Sequence, residues 1–65
     1  MNDHPTPDDV ALRRAEQQGE RWARAGLDVR RKLREHAPHW PGDRALKVRL
    51  IMAALDGARR AGGLS

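Results

Sequence analysis

Apolar and polar positions alternate with a helical period along most of this chain. Leu12, Ala15, Gly19, Trp22, Gly26, Val29, Leu33 and His36 follow one another at spacings of 3, 4, 3, 4, 3, 4 and 3. That is the a/d seam of a heptad pattern. The positions between them are mostly charged or glutamine. Because the seam keeps its phase through Gly26, one long helix over residues 8–37 is the favoured reading. A second reading takes Gly26 as a helix stop and Asp28 as the cap of a new helix, which gives three helices at 8–25, 28–37 and 43–61.

The pattern breaks at "HAPHWPGD", residues 36–43. Pro38 disfavours helix at Ala37. Trp40-Pro41-Gly42-Asp43 has proline and glycine where a type II turn wants them, and Asp43 is then a good N-cap. A further helix follows to Ala61 and ends at Gly62-Gly63. Its apolar arc has two stripes. Leu46, Leu50, Ala53, Ala54, Gly57 and Ala61 form the first, and Val48, Ile51, Leu55 and Ala58 form the second. Together they cover roughly 220°, against the ~100° of an ordinary surface helix. A helix this apolar needs more than one neighbour.

The expected fold is therefore all-α: a helical hairpin with a Pro/Gly turn, assembling as a dimeric four-helix bundle or docking on a partner. The assembly surface would comprise Leu12, Gly19, Trp22, Gly26, Val29, Leu33, Leu50, Ile51 and Leu55. Each mid-helix glycine costs roughly 1 kcal/mol relative to alanine. Gly19 and Gly26 are expected to justify that cost by admitting a bulky side chain or a second backbone at the seam. On this view alanine at either position raises helicity and weakens assembly. Residues 1–7 are expected to be a flexible acidic, proline-rich lead-in, and residues 8–65 a single helical domain. Thr6 or Asp8 can cap the first helix, with Pro7 in its first turn.

Composition sharpens this. Sixty-five residues without cysteine make a marginal core with no disulfide or thiolate metal site to support it, which leaves association as the remedy. Few strand formers and many Ala, Leu, Arg and Glu agree with helix. No apolar run approaches the ~20 residues of a membrane helix, and the first residues do not resemble a signal peptide. A cytoplasmic location is expected, with no membrane partner.

Charge is unevenly placed. Residues 1–10 carry −3, and residues 11–65 carry all 13 cations against six acids. Seven cations and two acids fall within residues 30–49. Arg30, Arg31, Lys32, Arg34, Arg44 and Lys47 form a candidate contact for phosphates or an acidic surface. Readout of nucleic-acid sequence would need amide side chains and aromatics, and this region has only Trp40. Trp40, between prolines, is expected to plug the open end of the hairpin or, with Arg49, to serve as a candidate partner contact, tryptophan being enriched at interface hot spots.

Chemistry is poorly supplied. The hydroxyls are Thr6 and Ser65, near the two ends, and there is no thiol. A nucleophile–base pair therefore has little to build on, and no catalytic residue is assigned. Glu35, His36 and His39 lie close in sequence, but Ala37-Pro38 interrupts their helical register. No metal, cofactor or small-molecule substrate is expected.

"RAEQQGERWARAG", Arg14–Gly26, is similar to the N-terminal segment of the ribosome modulation factor family. The likeness lies in the Arg-Ala start, Gln17, and the glycines at Gly19 and Gly26. It spans 13 of the 65 residues. The tryptophan-glycine-tryptophan type of C-terminal segment in that family meets at best Gly57 and Ala61 here. The resemblance assigns no family; it points any nucleic-acid binding toward ribosomal RNA.

The function expected from the sequence is that of a small, non-enzymatic regulatory or interaction protein. It would pair with itself as a homodimer, or act as inhibitor or accessory subunit of a larger protein. The alternative is a basic, dimeric binder of DNA or structured RNA.

Overall fold

The computed structural model describes residues 6–63. It has three α-helices: α1 (Pro7–Arg24), α2 (Val29–His36) and α3 (Arg44–Arg60). A 3-10 turn, Ala37–His39, follows α2. Among the described residues there is no strand, and no helix is long and apolar enough to cross a membrane. The lead-in expected over residues 1–7 lies, apart from Thr6 and Pro7, outside the described residues.

The three-helix reading is the one the fold adopts, and the continuous helix over 8–37 is corrected. The cause sits at Gly26. Ala25 is the last αR residue, and Gly26 follows at φ 74°. The amide of Gly26 donates to the carbonyl of Ala23, and that of Leu27 to Trp22, both at 3.0 Å. These two bonds are a Schellman motif, which satisfies the last helical carbonyls and turns the chain back. Asp28 then caps α2, its Oδ1 accepting from the Arg31 amide at 3.2 Å.

The other ends also follow local chemistry. Thr6 and Asp9 form a reciprocal capping box with Pro7 at the first helical position, satisfying amides that have no partner within the helix. Ala37 stays αR (φ −57°, ψ −37°) despite preceding Pro38, and the chain tightens into the 3-10 turn rather than breaking there. Gly42 at φ 101° supplies the left-handed residue of the turn before α3. Asp43 caps α3 through a 2.8 Å bond from the Leu46 amide.

The break changes the topology as well as the helix count. A two-helix hairpin would set its helices antiparallel. Here α2 and α3 form the hairpin, with Lys47 Nζ donating back to the Pro38 carbonyl at 3.3 Å. α1 runs in the same direction as α3. Pro7 and Val10 share a cleft with Trp40 and Pro41, just ahead of α3. Further along, Gly19 meets Ala54, and Ala23 meets Gly63, just past the end of α3.

Small residues bring α1 and α3 together. A Cβ on Gly19 would overlap the carbonyl of Ala54, and one on Gly57 would overlap that of Glu16. Ala15, Gly19 and Ala23 form a stripe at i, i+4, i+8 on α1, and Ala54 and Ala58 meet it from α3, both at 0 % exposure. Glu16 and Arg60 pair across the same contact. Around this crossing Ala15, Trp22, Val29, Leu33, Leu50, Ala54 and Ala58 make the core, with Leu12, Trp40, Leu46, Ile51 and Leu55 packed against it.

Candidate docking groove

The two apolar stripes of α3 have different fates. The first meets α1, with Leu50 buried, Ala54 opposite Gly19, and Gly57 opposite Glu16. The second, apart from Ala58, which is buried against α1, faces α2, which is only eight residues, or about 12 Å, long. So short a helix covers that stripe incompletely. Ile51 and Leu55 stay half-buried and Val48 is 50% exposed.

What remains is an open groove of about 580 Å³ between α2 and α3. Leu33, Ala37, Val48, Ile51 and Leu55 provide its apolar lining. Arg30 and Arg34 stand along its α2 side, and Arg44 and Lys47 on the first turn of α3. No carboxylate lines it.

Among the described residues the rim cations have no carboxylate partner elsewhere either. Among the described residues the ion pairs are Glu20–Arg24 (2.5 Å), Glu35–Arg31 (3.4 Å) and Glu16–Arg60. Asp9, Asp28 and Asp43 are engaged as helix caps. Arg30, Arg34 and Arg44 take part in no such pair, and Lys47 bonds to the Pro38 carbonyl. Among the described residues, then, no carboxylate forms an ion pair with the cations around this apolar floor.

The residues expected to matter are distributed as follows. Of the six cations grouped from the sequence, the fold gathers Arg30, Arg34, Arg44 and Lys47. Arg31 turns to Glu35, and Lys32 is half-buried outside the groove. Of the nine assembly residues, Gly19, Trp22, Val29, Leu33 and Leu50 are buried inside the single chain. They already have neighbours in α1, α2 and α3, so a second copy reaches them only if the chain opens. Gly26 is exposed, with nothing within 4 Å of a Cβ built on it; it is a turn residue, not a packing residue. Leu12, Ile51 and Leu55 are half-buried, the last two in the groove.

Trp40 is half-buried against the core and lies in a second cleft with Trp22, His36, Pro41 and Leu50. The rings of Trp22 and His36 stand 5.4 Å apart at 37°. Arg49 is exposed on α3 away from both clefts. Among the described residues no three His, Asp or Glu side chains come close enough to hold a metal ion. Sequence reasoning missed Val48 as a groove residue with a cationic surround. The signal was present in the second stripe, flanked by Arg44 and Lys47, but it needed the direction of α2 to be read.

No family model, curated protein or solved structure matches the chain.

Proposed function

We propose that this chain is a small, non-enzymatic interaction protein that docks a different protein in the α2–α3 groove. The observation that carries the reading is an apolar floor left open by a short α2 and flanked by four cations, with no carboxylate in its lining. An amphipathic segment with an apolar face fits such a surface, because its burial removes the floor from water while its polar flanks meet the rim.

The same rim argues against self-pairing through this face. Two copies apposed groove to groove would bring eight cations together and contribute no carboxylate from either lining. Like charges across an interface cost free energy, so the rim selects against the identical chain. The floor also argues against nucleic acid as its occupant. A phosphate backbone finds cations here but no aromatic to stack a base, and it has nothing to place on Val48, Ile51 and Leu55.

Titration of the isotope-labelled chain, followed by NMR, tests this. Amphipathic helical peptides, duplex DNA and structured RNA are added separately. Signals of Val48, Ile51 and Leu55 are expected to move with a peptide and to stay still with the nucleic acids. If no peptide moves them, and DNA or RNA binds with a steep dependence on salt, the protein-docking reading falls to the nucleic-acid one.

A further inference from the structure

Resting on the protein-docking reading, we infer that the occupant of the α2–α3 groove is an acidic amphipathic helix: an aliphatic stripe flanked by carboxylates spaced one turn apart. Three features lead to it. The first is shape. Leu33 on α2 and Ala37 at its C-cap stand four residues apart, and Val48, Ile51 and Leu55 follow at 3 and 4 residues on α3. Two helices side by side leave a linear trough, and a third helix laid along it offers residues at i, i+3 or i+4, and i+7. The length of α2 sets the contact at about two turns.

The second is charge. Arg30 and Arg34 lie at i and i+4 of one helix, which places their Cβ atoms about 6 Å apart. Carboxylates at i and i+4 of a facing helix have the same spacing, and guanidinium groups bind carboxylates in bidentate fashion. Arg44 and Lys47 extend the demand for negative charge to the end of the trough beside the 3-10 turn. All four are exposed or half-buried, so pairing them requires little desolvation.

The third is the lack of anything else suited to the floor. A bilayer surface presents a flat plane of headgroups, whereas Ile51 and Leu55 are half-buried between two helices and are covered better by a rod that lies along the trough. An extended strand would need an open sheet edge, and among the described residues there is none. A helix keeps its own backbone satisfied and presents side chains alone.

The test uses the full chain and a panel of stapled helical peptides of about 14 residues. All share leucines at i, i+3 and i+7. The flanking positions are glutamate, glutamine or lysine. Affinities come from calorimetry, with methyl NMR reporting contact at Ile51 and Leu55. The glutamate peptide is expected to bind at least tenfold tighter than the glutamine peptide, with affinity falling as salt rises, and the lysine peptide to bind weakest. Arg30→Glu combined with Arg34→Glu, which leaves the rim with two cations and two carboxylates, is expected to abolish the preference for the glutamate peptide over the glutamine one. Both residues are exposed and free of ion pairs among the described residues, and circular dichroism confirms that the variant folds. If the glutamine or lysine peptide binds the groove of the unaltered chain as tightly as the glutamate one, the acidic helix is overturned while protein docking stands. If no peptide moves Ile51 or Leu55, both fall. Tighter binding of duplex DNA or phosphatidylserine vesicles than of the glutamate peptide also overturns the proposal.

Discussion

Gly19 and Gly57 do the same job from opposite sides of one helix crossing. Each faces a backbone carbonyl where a methyl group would have to sit. Alanine at Gly19 gains about 1 kcal/mol of helix propensity. It also forces α1 away from α3, an overpacking cost of roughly 1–3 kcal/mol or more when the obstacle is backbone. The crossing term dominates, so Gly19→Ala is expected to lower stability in urea by about 1–2 kcal/mol. Gly57→Ala should do the same. Once one methyl has parted the helices the second meets less resistance, so the double variant is expected to lose less than the sum of the two. Gly26→Ala is a different experiment. It meets open space, but its φ of 74° costs an L-residue about 1 kcal/mol. Asparagine there is expected to recover part of the loss. A Gly19→Ala chain more stable than the original would show that the close crossing is absent.

Among the elements, the caps carry the architecture. Without Asp43 the first turn of α3 keeps an unsatisfied Leu46 amide. Asp43→Ala is expected to cost about 1 kcal/mol. Because α3 provides one wall of the groove, local hydrogen exchange at Arg44 to Lys47 should speed up alongside. Exchange unchanged across that turn would contradict the assignment of Asp43 as the cap. The elements also explain what the sequence could and could not tell. All-α character, the turn at Trp40–Asp43 and the apolar stripes were legible, because each is written in local chemistry; Thr6 was one of two caps the sequence offered for α1, beside Asp8. The break at Gly26 was legible only as an alternative. Heptad phase records which residues face inward, and a Schellman reversal followed by an aspartate cap keeps Trp22, Val29 and Leu33 inward while the chain changes direction. Periodicity therefore ran through a stop that Gly26, Leu27 and Asp28 had marked. With the direction of α2 misread, Gly19 and Trp22 looked free for another chain, though α3 of the same chain already covers them.

At the scale of the whole molecule, three helices in one chain cover most of the apolar arc that a two-helix hairpin would have left bare. The first stripe of α3 is satisfied internally, and the need for a partner shrinks to the second. What remains open is a shallow trough with cations along its α2 side and on the first turn of α3. That combination separates two ideas the sequence had joined, association with itself and association with something else. The central claim is that one copy folds alone and that its cationic rim reserves the groove for an occupant other than itself. Sedimentation equilibrium of the isolated chain, over a range of protein concentrations at low and physiological salt, tests this most directly. The account predicts the mass of a single 7.3 kDa chain throughout. A dimer that persists at low salt, and that Val48→Glu abolishes, would contradict it.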